Sequence, residues 1–122
     1  MAKYVGHNGC SYIKEEKTIH YKDGSVYQGH VVNGRRHGIG KCIYLDKSYY
    51  EGEWENDKRT GTGVMKYSES NSKEIDFYYG DWKNDKRDGL GTIAWKNGTM
   101  FSGCWLLDKL IGTLPPYHKL RV

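Results

Sequence analysis

Four short blocks of this sequence superimpose on one another. Tyr27-Gln28-Gly29-His30-Val31 returns as Tyr50-Glu51-Gly52-Glu53-Trp54, as Tyr78-Tyr79-Gly80-Asp81-Trp82, and as Phe101-Ser102-Gly103-Cys104-Trp105. The starts are 23 (27 to 50), 28 (50 to 78) and 23 (78 to 101) residues apart, and Tyr4-Val5-Gly6 is a weaker copy one period earlier. Self-similarity at a period in the twenties marks a stacked repeat, in which each unit buries its apolar face only against its neighbours. Such a chain presents a surface made of recurring positions, so its function is sought first in binding.

One unit reads as two strands. Tyr50, Gly52 and Trp54 alternate with Glu51, Glu53 and Glu55, the period of a strand with one polar face. The turn-forming stretch Asn56 to Gly61 follows, and then Gly63, Met65 and Tyr67 alternate with Thr62, Val64 and Lys66. Asp23-Gly24 and Asn97-Gly98 are tight-turn pairs between units. The expected fold is all-β: strands of about 5–6 residues, paired as consecutive hairpins in a single-layer, curved antiparallel sheet. Gly29, Gly52, Gly80 and Gly103, with Gly40, Gly63 and Gly91 on the second strands, remove the Cβ where a neighbouring ring must lie on the backbone.

Apolar residues make up only 37% of the 122 residues, yet 11 Tyr, 4 Trp and 2 Phe stand at fixed places in the repeat, which argues against disorder. A single sheet has no second layer. The ringed face is therefore expected to stay half wet, as a groove formed by Tyr27, Tyr44, Tyr50, Trp54, Tyr67, Tyr78, Trp82, Trp95, Phe101 and Trp105, with Met65 and Ile93 between the rings. The competing reading is that these rings only pack on each other across strands.

Tyr-x-Gly-x-Trp followed by Asn-(Gly/Asp)-(Lys/Arg)-Arg-x-Gly-x-Gly resembles the MORN repeat (membrane occupation and recognition nexus). Tyr50 to Gly63 and Tyr78 to Gly91 match closely, and Tyr27 to Gly40 matches with Val31 in the Trp place. On this resemblance the repeat domain runs from residue 4 to 114, with units starting near 4, 27, 50, 78 and 101. The first and last units are degenerate, and 115–122 is a C-terminal tail that folds over the end or joins a neighbour. Glu15 and Lys17 stand where Gly38 and Gly40 stand later, so the first unit reads as a cap. In the last unit Leu114 replaces the second Gly and Pro115-Pro116 cannot continue a ladder. Tyr67 to Tyr78 is 11 residues where Tyr44 to Tyr50 is 6, so the extra 5 fall in a polar loop, Ser68 to Asp76. The resemblance implies a scaffold or adaptor of the cytoskeleton, cilia or membrane contact sites. Its groove would hold a protein partner segment, some relatives form dimers through the repeats, and phospholipid binding gave the family its name.

Arg35-Arg36, Lys58-Arg59 and Lys86-Arg87 recur at one place in the unit, with Lys109 in the fourth. Stacked hairpins would space them about 10 Å apart as a basic rim able to meet anionic lipid or an acidic partner. Asp57, Asp85, Asp88 and Asp108 are interleaved there and dilute the stripe. The formal charge of +4 is too small for a dedicated nucleic-acid binder.

No catalytic or metal-ligating constellation is legible. His7, His20, His30, His37 and His118 have no i,i+4 pairing and no local ligand set, and Cys10, Cys42 and Cys104 have no metal spacing. Cys42 reads as a small core residue of a chain in a reducing compartment. Met1 to Tyr4 begins no secretory stretch and no run approaches a membrane span, so Asn97-Gly98-Thr99 is read as a turn and not a glycosylation site. The expectation is a non-enzymatic adaptor without cofactor, cytoplasmic or on the cytoskeleton, with Trp54, Trp82 and Trp95 as groove anchors. The alternatives are a peripheral module that binds anionic phospholipid through the rim, and self-association, groove to groove or edge to edge.

Overall fold

The computed structural model describes residues 2–5 and 11–113, with side chains from Lys14 onwards. Ten strands follow one another: β1 (Ala2–Val5), β2 (Ser11–His20), β3 (Val26–Val32), β4 (Arg35–Ile43), β5 (Tyr49–Glu55), β6 (Lys58–Lys66), β7 (Ile75–Lys83), β8 (Lys86–Trp95), β9 (Met100–Leu106) and β10 (Lys109–Thr113). They pair in chain order as one antiparallel meander, and the described residues contain no helix. The repeat phase is visible in the register. Gly40 pairs with Gly52, Gly63 with Gly80 and Gly91 with Gly103, so a line of glycines crosses the sheet.

The second strand of each full hairpin runs 9 or 10 residues, longer than the alternation predicts. The reason is a bend inside it. Six residues of straight strand span about 20 Å, yet Arg36 Nη1 lies 3.7 Å from Cys42 Sγ and Arg59 Nη1 3.8 Å from Met65 Sδ. Each strand therefore folds over its own glycine. The ladder shifts register there, between Gly29 and Val31, between Gly52 and Glu53 and between Gly80 and Trp82. These bulges leave one backbone N–H off the ladder, and a side chain at a fixed place accepts it: Ile39 N donates to His30 Nδ1 (3.1 Å), Thr62 N to Glu53 Oε2 (2.6 Å) and Leu90 N to Asp81 Oδ2 (2.9 Å). Gly61, with φ of 57°, sits at one such kink, where a Cβ would fall 2.3 Å from the Glu53 carboxylate.

The hairpin turns have two consecutive left-handed residues, Asn33-Gly34, Asn56-Asp57, Asn84-Asp85 and Leu107-Asp108. That backbone matches the twist of the flanking strands. The inserted loop is shorter than the polar run suggests, because Ile75 and Asp76 already belong to β7. Asn71 organises it: its Nδ2 donates to the carbonyls of Ser68 (2.7 Å) and Ile75 (2.8 Å), and its Oδ1 accepts from Ile75 N (3.0 Å). Gly6 to Cys10 of the expected cap, and the tail 115–122, lie outside the described residues.

Candidate functional site: the aromatic ladder and the groove beside it

The bend changes the fate of the rings. Tyr27, Tyr50 and Tyr78 are fully buried, and Trp54, Trp82 and Trp105 are at most 5% exposed. The expectation of ten half-wet groove rings is corrected for these six. Each hairpin closes over its own aromatic residues, which supplies the covering layer that a flat sheet lacks. The six form one continuous ladder of near-perpendicular contacts, Tyr27–Trp54–Tyr50–Trp82–Tyr78–Trp105, with centroids 5.1 to 5.5 Å apart. Trp54 and Trp82 each touch the Tyr of their own unit and that of the unit before, and Trp105, whose unit begins with Phe101, touches Tyr78 of the unit before. Such edge-to-face pairs contribute about 0.5–1.5 kcal/mol each beyond their burial.

Every polar atom on the ladder has a backbone partner. The Tyr27, Tyr50 and Tyr78 hydroxyls donate to the carbonyls of His30 (2.7 Å), Glu53 (2.9 Å) and Asp81 (2.9 Å). The Trp54, Trp82 and Trp105 indoles donate to the carbonyls of Gly40 (3.0 Å), Gly63 (3.0 Å) and Gly91 (3.4 Å). Burial raises all three tyrosine hydroxyls above their ordinary range. Cys42 is buried, and desolvation pushes its thiol up, with Arg36 opposing.

The basic rim is also corrected in half of its members. Arg36, Arg59 and Arg87 are not free cations. Arg36 lies over Trp54 (4.4 Å), Arg59 over Trp82 (4.7 Å) and Arg87 over Trp105 (4.7 Å). Their guanidinium Nε groups donate to Asp57, Asp85 and Asp108 at 3.1, 3.1 and 3.2 Å, and Nη2 reaches the same aspartates' carbonyls. The backbone seals the joint: Arg59 N donates to Asp85 Oδ1 (2.8 Å) and Asp85 N to the Arg59 carbonyl (3.0 Å). Three of the four aspartates that dilute the rim in sequence, Asp57, Asp85 and Asp108, are thus the partners that lock each unit to the next. Arg35, Lys58 and Lys86 remain exposed.

The surface left open is a groove beside the ladder. Tyr21, Tyr44 and Tyr67 are half-buried and recur at the end of each unit. Burial raises all three, Tyr44 to about 12, with neighbouring arginines opposing. Tyr44, Leu45, Asp46, Ser48, Arg59 and Met65 line a depression of about 680 Å³. A narrower one of about 240 Å³ is bounded by Tyr21, Arg36, Tyr44 and Asp57. Trp95 is half-buried against Phe101 (5.5 Å, near-perpendicular), and Phe101 is 45% exposed. Of the expected groove residues, Tyr44, Tyr67, Trp95 and Phe101 therefore reach solvent. Tyr21 belongs with them but stands outside the Tyr-x-Gly-x-Trp block; its recurrence as Tyr44 and Tyr67 was the available signal.

The repeat positions now have structural roles that recur unit by unit, and the MORN-repeat family model matches three consecutive segments, 27–49, 50–72 and 78–100, together more than half of the chain. The chain belongs to the MORN-repeat family. No curated protein matches it. MORN repeats are a non-catalytic repeat type that commonly binds proteins or membranes. Within a MORN unit of this chain the Tyr-x-Gly-x-Trp block builds the core, and the Arg and the next unit's Asp build the joint. Among the described residues no group of three His, Cys, Asp or Glu is placed to hold a metal ion.

Proposed function

We propose that this MORN-repeat chain is a non-enzymatic adaptor that holds a protein segment along its open groove, as one subunit of a larger assembly of the cytoskeletal or ciliary kind. The carrying observation is the row Tyr21, Tyr44 and Tyr67, half-buried rings at one place in each unit, of which Tyr21 and Tyr44 border depressions that nothing in the described chain fills. With two strands per unit the row repeats about every 10 Å. An elongated partner would meet the same tyrosine, arginine and aspartate set at each step, and tyrosine suits such contacts because it offers area and a hydroxyl at small entropic cost.

The test is a pull-down from the native source with wild type beside Tyr44→Glu/Tyr67→Glu, both first shown to be folded. A partner set lost from the groove variant but kept by an outer-face variant, Glu51→Lys, is the expected result. A set that survives the groove variant overturns the proposal. Trp82→Ala is unsuited as a binding probe, because Trp82 is core.

A further inference from the structure

The first full unit carries histidine at two places where later units carry carboxylates. His30 stands where Glu53 and Asp81 stand, and His37 where Asp88 stands. The hydrogen bonds at these places are equivalent. His30 Nδ1 accepts from Ile39 N (3.1 Å), as the carboxylates of Glu53 and Asp81 accept from Thr62 N (2.6 Å) and Leu90 N (2.9 Å). His37 Nδ1 accepts from Asn56 N (3.2 Å) in the next unit's turn, as Asp88 Oδ2 accepts from Leu107 N (3.3 Å). One histidine therefore holds the β3–β4 bulge. The other ties β4 to the turn whose Asp57 also receives Arg36.

Imidazole and carboxylate are both good acceptors near neutral pH, but only the carboxylate remains one just below it. A ring nitrogen accepts only while it is bare, and in the imidazolium both nitrogens carry protons. Histidine changes charge between about pH 5 and 8, whereas carboxylates titrate near about pH 4. A backbone N–H has no second state, so a protonated Nδ1 would face it donor to donor.

We propose that the first full unit is an acid-responsive joint: protonation of His30 and His37 frees the β3–β4 bulge and unties β4 from the β5–β6 turn, while the later, carboxylate-held units stay closed. The His30 ring has a second anchor. Its Nε2 donates to Glu16 Oε1 (3.2 Å) across the β2–β3 pair. An imidazolium strengthens that bond as it gives up Ile39, so the proton moves the hold of His30 from β4 to β2. Lys14 of β2 crosses the same place: a Cβ on Gly38 would lie 2.6 Å from Lys14 Cε and 2.9 Å from His30 Nδ1. Its ammonium opposes Glu16, whose side chain is 81% exposed and screened by solvent. Opposite His37, the residues of the facing turn that carry charge are Glu55, Asp57 and Lys58, and Asp57 is engaged by Arg36. On the other side of that end of β4, β3 presents Val31 and Val32, without charge. The responsive joint lies where Tyr21, Arg36, Tyr44 and Asp57 bound the narrower depression.

The test is amide hydrogen exchange by NMR on the full chain between about pH 8 and 5.5, corrected for the intrinsic exchange rate. Protection at Ile39 and Asn56 is expected to fall about fivefold over that range, the loss of one hydrogen bond each. Thr62, Leu90 and Leu107, bonded to carboxylates, should hold theirs. Long-range proton–nitrogen correlations should show both rings with a bare Nδ1 at the upper pH, and a protonated Nδ1 there in either ring overturns the proposal. His30→Gln/His37→Asn keeps an acceptor at each place that does not titrate, and should leave Ile39 and Asn56 protected throughout. In the wild-type chain, either amide tracking the three carboxylate-held ones overturns the proposal, whether or not the variant folds. A fall that persists in the folded double variant overturns it as well.

Discussion

Gly63 is where the aromatic ladder can be tested most directly. It is buried in β6 with the Tyr50 ring laid across it: a Cβ built there would lie 2.2 Å from the Tyr50 hydroxyl oxygen and 2.4 Å from Cζ. Tyr50 cannot give way freely, because it is fully buried and held edge-on by Trp54 at 5.1 Å and Trp82 at 5.2 Å. Gly63→Ala must therefore displace the ring or the strand. Overpacking costs about 1–3 kcal/mol, and loosening two edge-to-face contacts costs up to about 0.5–1.5 kcal/mol each. The expected loss is about 3 kcal/mol, a drop in melting temperature of about 10 °C. Gly112→Ala is the control: nothing lies within 4 Å of its Cβ position and its φ is not positive, so the change should stay within about 0.5 kcal/mol. Denaturant unfolding followed by tryptophan fluorescence reads both variants. In a Tyr50→Ala background the cost of Gly63→Ala should nearly vanish, since the clash partner is gone. A cost below about 1 kcal/mol in wild type, or a full cost persisting without the Tyr50 ring, would refute the argument that the ring requires this glycine.

Three further outcomes follow from the same geometry. Arg59→Ala removes the bonds to Asp85 and the cover over Trp82 and should cost about 2 kcal/mol in urea unfolding, with Arg59→Lys recovering less than half because an ammonium cannot make the fork; equal stability of Lys and wild type would show that charge alone matters. Burial raises the Tyr27, Tyr50 and Tyr78 hydroxyls above 10.0 and Tyr44 to about 12, so their contribution is fully present below about pH 10 and is lost as pH climbs through the folded values. Ultraviolet titration should accordingly show an early tyrosine wave near pH 10 and a second that coincides with unfolding, and a single early wave on an intact fold would contradict the burial. Asn71→Ala removes three hydrogen bonds from the inserted loop and should cost about 1–2 kcal/mol while speeding proteolysis between Ser68 and Glu74, as read by limited digestion.

Much of this protein can be read without coordinates. The recurrence of Tyr-x-Gly-x-Trp set the unit, the alternation Tyr50/Gly52/Trp54 set which side chains share a face, and the turn pairs set where the chain reverses. These are local properties, carried by side-chain period and by residues that tolerate left-handed backbone. The joint between units was half legible: Arg at 36, 59 and 87 and Asp at 57, 85 and 108 recur together, but opposite charges in neighbouring turns look like dilution until the two turns are seen in contact. Only the tertiary structure decided that the rings are core and not groove. Alternation states which face a residue is on; it does not state how sharply a strand bends. The bend at the glycine line depends on the neighbouring strand's bulge and on the ring lying over Gly40, Gly63 or Gly91, and that bend moved Trp54 and Trp82 inside while leaving Tyr44 and Tyr67 at the open edge.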